Sequence, residues 1–417
     1  MMQHRLLTLL VVFAVLVTVG TACGESRVRG DAASSPGAEA SSPMTPQSEP
    51  STDDPTEEPA AAGHAPCPSH WTRVPLDVSA PWVDLRGVDA LSRTDAWVVG
   101  NEHHMEGGSY GPPFVRRWDG VGWATTPLNS PEGVDWHTLE DVVAIAPNDA
   151  WAVGNVLRES ATAPQAMRWD GSAWSPVATP SPRGPGSMTL RGVDAVSASD
   201  VWAVGHSSRY GATASYALIE HWDGQKWTLV RSPDVLRDNG LYDVAALSET
   251  NVWAVGETWI ETRTGEPLIL RWDGTTWSSM PVPPVPGRSA VLTDVAAVAV
   301  DDVWAVGKTV VGMADEPVIL HWDGAQWSRV IDRAERGNRQ LVGVSASASD
   351  VWAVGGIMSG TALVQHLDGH YWARNASLDL PRHESFLMDV ASAPDGAVWA
   401  VGNALTNPIV MRFCPVR

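Results

Sequence analysis

The sequence lacks most of the short patterns that mark enzymes and nucleic-acid-binding proteins. Three cysteines among 417 residues, with no C-x-x-C pair, exclude a disulfide-rich scaffold. There is no G-x-S-x-G, no H-E-x-x-H and no phosphate-binding glycine loop. No basic patch with interleaved aromatic residues is present and the net charge is −20, so we expect no nucleic-acid partner. Beyond the N-terminal region no apolar run is long enough to span a bilayer.

What the sequence does contain is one phrase repeated seven times: a tryptophan followed by a small residue, valine and glycine. The repeat spacing falls from 54 to 47 residues along the chain, as expected for one supersecondary unit repeated seven times. The seven tryptophans are Trp97, Trp151, Trp202, Trp253, Trp304, Trp352 and Trp399.

Each repeat contains four segments of strand length. In the third copy they span 190–197, 201–205, 217–222 and 226–230. Asp200 lies in the first turn, where we expect its side chain to accept backbone N–H groups. Trp222-Asp223-Gly224 marks the turn between the third and fourth segments, with the residues a tight hairpin requires.

The alternation within the second segment predicts how the sheets stack. Trp202 and Val204 share one face, and Val201, Ala203 and Gly205 share the other. A face of large side chains can therefore pack on the small face of the next sheet. The sequence predicts an all-β, seven-bladed β-propeller of four-stranded antiparallel blades over residues 67–417.

The chain ends predict how the ring closes. The seventh copy has three strands, and 70–75 resembles a fourth strand that belongs to no preceding copy. Pairing the two termini removes the edge of an open array. Cys67 and Cys414 both fall at the turn position of that hairpin, so we expect a disulfide between them, with two unpaired buried thiols as the alternative.

The first 22 residues follow the plan of an export signal: a basic start, an apolar run and small residues before Cys23. We expect residues 1–22 to be a lipoprotein-type signal peptide and Cys23 to carry the lipid anchor at the cell membrane. The alternative is an ordinary signal peptide cleaved nearby. Residues 23–66, rich in Ser, Pro, Ala and Glu, lack the apolar content to fold and are expected to form a tether.

The acidity of the propeller region has a structural interpretation. Residues 67–417 hold 40 acids and 25 bases, and eleven of the acids are the repeated turn aspartates. We therefore attribute most of this acidity to turn chemistry rather than to a ligand.

The repeated turns share one end of the blades, and loops that differ between repeats share the other, so we expect the binding face at the loop end. Three tryptophans outside the repeat pattern, Trp82, Trp136 and Trp259, fall in these loops. Exposed indoles stack on sugars or anchor protein interfaces. The alternative is that they plug the mouth of the ring.

A second candidate set directly follows each repeated phrase, where propeller geometry brings residues near the channel mouth. From adjacent blades, His206, Glu257 and Lys308 suggest an acid/base or metal site, with ordinary polar strand ends as the alternative. His103-His104 with Glu102 and Glu106 forms a possible metal loop, a solvated loop being the alternative. The full set is Asn101, Asn155, His206, Glu257, Lys308, Gly356 and Asn403.

The repeats over residues 71–413 resemble the secreted bacterial propellers related to the galactose oxidase and kelch group. The Trp-Asp-Gly-x-x-Trp hairpin is similar to the sialidase Asp-box but one residue shorter, and the segment 394–399 resembles repeats of the streptogramin-lyase propellers. The resemblance implies a secreted lipoprotein.

The expected function is a non-catalytic binding or scaffold module at the cell surface, for an extracellular glycan or protein, with no cofactor or resident metal. A propeller lyase or hydrolase with a His, an acid and a metal at the channel mouth is the alternative.

Overall fold

A computed structural model describes the chain from Cys67 to Pro415 with gaps. The segments predicted as signal peptide, lipidated Cys23 and tether lie outside the described residues. The described ranges are 67–103, 110–130, 136–158, 161–180, 186–209, 214–233, 238–259, 264–332, 338–368, 371–374, 378, 380 and 384–415. They contain no helix long and apolar enough to cross a membrane.

These residues form seven four-stranded antiparallel sheets, which confirms the predicted propeller. A short strand, β1 (Thr72–Arg73), precedes the first complete blade. Blade one comprises β2 (Trp82–Ser92), β3 (Asp95–His103), β4 (Tyr110–Trp118) and β5 (Trp123–Thr125). Blade two comprises β6 (Trp136–Ala146), β7 (Asp149–Arg158), β8 (Ala161–Trp169) and β9 (Trp174–Val177). Blade three comprises β10 (Gly186–Ser197), β11 (Asp200–Arg209), β12 (Ser215–Trp222) and β13 (Trp227–Leu229).

The remaining blades repeat this order. Blade four comprises β14 (Asn239–Ser248), β15 (Asn251–Trp259), β16 (Gly265–Trp272) and β17 (Trp277–Ser279). Blade five comprises β18 (Ala290–Ala299), β19 (Asp302–Val311), β20 (Ala314–Trp322) and β21 (Trp327–Arg329). Blade six comprises β22 (Arg339–Ala346), β23 (Val351–Ile357), β24 (Thr361–Asp368) and β25 (Tyr371–Arg374). Blade seven comprises β26 (Ser385–Ser392), β27 (Val398–Ala404), β28 (Asn407–Phe413) and β1.

The two chain ends close the ring as predicted. Strand β1 pairs antiparallel with β28, with Thr72 opposite Arg412, and a disulfide joins Cys67 to Cys414. The backbone N–H of Cys414 donates to the carbonyl of Pro68 at 3.0 Å, which extends this pairing to the disulfide. No open sheet edge is left between the first and the last repeat.

The first and second strands of the blades are longer than the repeat pattern predicted. In blade three the ladder continues from Leu190 opposite Gly205 to Gly186 opposite Arg209. We name the end reached by these extensions the loop face, and the opposite end, with the repeated Trp-Asp-Gly turns, the turn face. The extended ladder thus builds part of the loop face from paired strands, where the sequence predicted loops.

Tryptophans fill the contacts between blades in the predicted manner. In six of the seven contacts the tryptophan of the second strand packs on two aromatic side chains at the third and fourth strands of the next blade, and Trp304 packs on Trp372 alone, since Leu367 replaces the other ring. Trp97, for example, lies 5.1 Å from the rings of both Trp169 and Trp174, nearly perpendicular to the second. Because each blade covers the next, both faces of every sheet are apolar.

The two repeated turns differ in how their aspartates act. The sequence predicted that the first-turn aspartates accept backbone N–H groups, but it is the carboxylate of the Trp-Asp-Gly turn that does so, for example Asp223 from Gln225 and Lys226, which lowers its pKa. Gly224 there has a φ of 87°, a conformation that favours glycine. The first-turn aspartates instead pair with the third strand: Asp149 accepts from Arg168 at 2.9 Å and Asp200 from His221 at 2.7 Å.

Six further acids line the central channel, and the sequence interpretation of the charge missed them. They lie on the first strands: Asp89, Asp141, Asp194, Asp243, Asp294 and Asp389. Each carboxylate accepts a backbone N–H of the next blade at 2.6–3.0 Å, and Ser345 does so in blade six. All seven contacts between blades therefore have one such side-chain bond around the channel.

Candidate functional site

The mouth of the channel on the loop face carries the densest polar contacts among the predicted site residues. The second strands position these residues directly after the valine and glycine that end the repeated phrase. The residue after the opening leucine of each first strand lies beside them. His206, Glu257 and Lys308 lie on blades three, four and five: Lys308 is near enough for its charge to act on Glu257, and His206 lies beside Gly240, the strand partner of Glu257. Their role as a site stays a prediction.

Glu257 is the central residue of these three. Its carboxylate accepts a hydrogen bond from the Tyr242 hydroxyl at 2.7 Å. Burial raises the pKa of Glu257, while Tyr242 and the charge of Lys308 oppose that rise. Lys308 in turn pairs with Asp315 at 3.1 Å. The result is a line of polar contacts from blade four into blade five.

His206 lies on the other side of this line. A Cβ at Gly240 would lie 3.4 Å from the Cβ of His206 and 3.3 Å from the ring of Trp259, so both side chains meet over this glycine. Gly240 is the strand partner of Glu257. Burial, with a smaller effect of the charge on Arg191, lowers the pKa of His206 to about 4. Its imidazole is therefore neutral at physiological pH.

Two of the three asparagines at the same strand position join neighbouring blades. Asn101 is 2% exposed and accepts the backbone N–H of Leu139 at 3.0 Å. Asn403 accepts that of Leu85 at 3.0 Å, and Asn155 contacts Thr138 within its own blade. These contacts give the amides a structural role, and their part in ligand binding stays a prediction.

The three non-repeat tryptophans lie at strand ends on the loop face. Trp82 begins β2, is 36% exposed and stacks on His103 with ring centroids 4.5 Å apart. Trp136 begins β6 and Trp259 ends β15, and both are half-buried. The ring of Trp259 lies beside Gly240, and Gly240 is the strand partner of Glu257.

The structure also shows an apolar surface that sequence reasoning missed. We name it the apolar arc, and it consists of exposed residues on the loop face of four consecutive blades. Its members are Met313 (98% exposed), Met358 (41%), Leu405 (63%) and Trp82 (36%). The first three lie in the turns that join β19 to β20, β23 to β24 and β27 to β28. The only sequence signal was an apolar residue in a short connection between two paired strands.

A polar groove of about 360 Å³ lies on the loop face between blades four and five. Its walls are the start of β16 and the proline-rich connection to β18. Ser289 closes its base, where its hydroxyl accepts the backbone N–H of Gly265 at 2.9 Å. Arg288 lines it as well, so the groove offers both a cation and backbone polar groups.

No cluster of three or more His, Cys, Asp or Glu side chains in the described part of the chain has the geometry of a metal site. Of the possible metal loop, Glu102 and His103 are described, and burial lowers the pKa of His103. His104 and Glu106 lie outside the described residues.

Comparison with known proteins supports the fold. No family model matches this sequence, and no curated protein matches it. Among solved structures, one titled "YCF48 bound to D1 peptide" is similar, with 15% identity and a TM-score of 0.51. The match covers 84% of this chain and 99% of that one. At this identity the similarity shows a shared fold, and membership of the galactose oxidase and kelch group stays an expectation.

Proposed function

We propose that this protein is a binding module whose loop face takes a segment of another protein. The observation that carries the proposal is the apolar arc, because it places four exposed apolar side chains on consecutive blades at one face. Methionine is flexible and polarizable, and it is common on surfaces that bind varied peptides. Exposed apolar side chains gathered on one face are typical of an interaction site.

Two further points support the loop face over the turn face. The turn face is occupied by the repeated turns, whose aspartates are engaged with backbone N–H groups. The described chain also enters the propeller there, since Cys67 is joined to Cys414 just beyond the end of β28. The loop face is thus opposite to the entry point. The similar solved structure is titled as bound to a peptide, which agrees with a protein ligand.

We also propose that this module lies at the cell surface, and the support for this part comes from the sequence alone. The apolar run before Cys23 and the composition of residues 24–66 favour a lipid anchor and a tether.

A glycan is the second candidate ligand, favoured by Trp259. Its half-buried ring lies beside the Glu257 and Lys308 network, and an indole next to charged hydrogen-bonding groups suits a sugar ring. An acid/base enzyme is less well supported, because a general base works best with a pKa near the working pH and that of His206 is about 4.

The test introduces negatively charged side chains into the apolar arc. The full chain is used to select binders from a displayed peptide library and from a glycan array. In the triple variant Met313→Asp, Met358→Asp and Leu405→Asp, we expect the selected peptides to lose at least about tenfold in affinity, since burying an unpaired carboxylate at an interface costs more than 1.4 kcal/mol.

The matched control is Val121→Asp with Val300→Asp, two residues 70% and 62% exposed in turn-face connections. This variant should bind normally. Peptide binding that survives the triple variant would refute the apolar arc as the site. Binding of a glycan alone, lost in Trp259→Ala, would replace the protein ligand with the second candidate.

A further inference from the structure

The channel acids occupy two different positions in the first strands. One position lies two residues after the opening leucine, and the other lies four residues after it. Blades two, four, five and seven use the first position, with Asp141, Asp243, Asp294 and Asp389. Blades one, three and six use the second, with Asp89, Asp194 and Ser345.

Steric contact explains why neighbouring blades differ. The blades that use the second position carry glycine at the first. A Cβ on Gly192 would lie 2.7 Å from the Cα of Asp243 in the next blade, and one on Gly87 would lie 2.9 Å from the Cα of Asp141. The alternation therefore makes room for each aspartate and keeps neighbouring carboxyl groups at different levels of the channel.

An alternating pattern cannot close on a ring of seven. The one mismatch falls between blades four and five, where Asp243 and Asp294 occupy the same position in adjacent strands. The N–H of Val295 lies between them, 3.0 Å from Oδ2 of Asp243 and 2.7 Å from Oδ1 of Asp294. Both carboxyl groups therefore contact the same N–H, which brings Oδ2 of Asp243 close to Oδ1 of Asp294. Ionised carboxylates only accept hydrogen bonds, so a bond between these two oxygens requires a proton.

The surroundings favour keeping that proton. The other charged groups in this part of the channel are the carboxyls of Asp89, Asp141, Asp194 and Asp389. Among the described residues that line this cavity there is no lysine or arginine. Although the acids retain some exposed area toward the channel, burial in the ring raises the pKa of Asp243 well above its usual value. Burial likewise raises that of Asp294 to about 7.

We propose that a proton shared by Asp243 and Asp294 locks the contact between blades four and five, which makes this contact a pH-sensitive joint of the ring. Because the folded pair holds a proton that the unfolded chain releases near pH 4, the stabilisation is full below that pH. It begins to fall as the pH rises through about 7, the pKa of Asp294, and is lost as the pH passes the raised pKa of Asp243. The polar groove and the contact of Glu257 with Lys308 span the same two blades, so a loosened joint would act on the loop face.

The experiment follows the aspartate carboxyls by NMR in the full chain labelled with ¹³C at those carbons, titrated from pH 5 to pH 9. We expect a signal of a protonated carboxyl near neutral pH that is absent from both Asp243→Asn and Asp294→Asn. Asparagine keeps the acceptor oxygen and offers an amide N–H in place of the proton, so the fold is expected to survive. One bound proton also changes the unfolding constant tenfold per pH unit. The free energy of unfolding of Asp243→Asn should therefore fall less steeply from pH 5 to pH 8 than that of the wild type.

The control is Asp389→Asn, at the same strand position but facing Gly87 in the next blade. It should retain the signal of the shared proton. The proposal fails if every aspartate carboxyl is ionised at pH 6, or if Asp389→Asn removes the same signal. It also fails if Asp243→Asn keeps the full pH dependence. If Asp243→Asn does not fold, Asp294→Asn decides in the same way.

Discussion

At the scale of single residues, one buried acid in the third strands departs from its counterparts in the other blades. Glu220 in β12 is fully buried, and both of its carboxyl oxygens are without a hydrogen-bond partner. Burial raises its pKa to about 8, so it is neutral at pH 7. The same position holds Met167, Leu270, Leu320 and Met411 in four other blades, Arg116 in blade one and the buried Gln365 in blade six. An apolar side chain therefore fits this position in most blades, and the unpaired carboxyl of Glu220 weakens the contact that it occupies.

Replacing this acid should stabilise the protein. We expect Glu220→Met to raise the free energy of unfolding by about 1–3 kcal/mol at pH 7, the cost of a buried polar group without a partner. The gain should grow above pH 8, because the wild type then loses the stability that its protonated carboxyl allows. Urea unfolding at pH 7 and pH 9 measures both effects. Exposed Glu266→Met is the control and should change little; a destabilised Glu220→Met would show that the acid has an unrecognised partner.

At the scale of strands and turns, the features that recur in every repeat could be predicted from the sequence, and the features that alternate between blades could not. The tryptophan phrase and the Trp-Asp-Gly turn recur in register, so both could be assigned to a strand and a hairpin. The channel acids alternate between two positions and form their bonds across blades, so no single repeat reveals their role. The first-turn aspartates were assigned to the turn because their partners, such as Arg168 for Asp149, lie about 20 residues away in sequence.

The contact between first strands can be tested at Gly192. A methyl group there would lie 2.6 Å from Oδ1 and 2.7 Å from Cα of Asp243. We expect Gly192→Ala to lower the free energy of unfolding by about 1–3 kcal/mol, because the backbone of the next blade must shift. Gly122→Ala is the matched control, since nothing lies within 4 Å of its added Cβ. Chemical denaturation compares the two, and equal stabilities would mean that the contact between blades is looser than the structure shows.

At the scale of the whole molecule, the ring and its closure could be predicted, and the site only in part. Repeat count and the position of Cys67 relative to Cys414 depend on chain order alone. The placement of His206, Glu257 and Lys308 on adjacent blades also follows from blade order. The apolar arc does not, because exposure of Met313 or Leu405 depends on how far each hairpin extends, which the side-chain pattern does not encode.

The closure of the ring by its two chain ends can be tested at the disulfide between Cys67 and Cys414. Strand β1 is only two residues long, and the disulfide and the packing of Trp71 on Trp352 at 5.5 Å add to its hydrogen bonds with β28. In the chain-entropy model a loop of this length is worth about 5–6 kcal/mol, so Cys67→Ser should lower the free energy of unfolding by up to that amount. It should also expose the segment near Trp71 to proteolysis.

The double variant with Cys414→Ser should match the single one, because both lack the same cross-link. A reducing agent should destabilise the wild type to the level of the variants and leave the variants unchanged. If reduction leaves the wild type as stable as before, the hydrogen bonds of β1 close the ring without the disulfide.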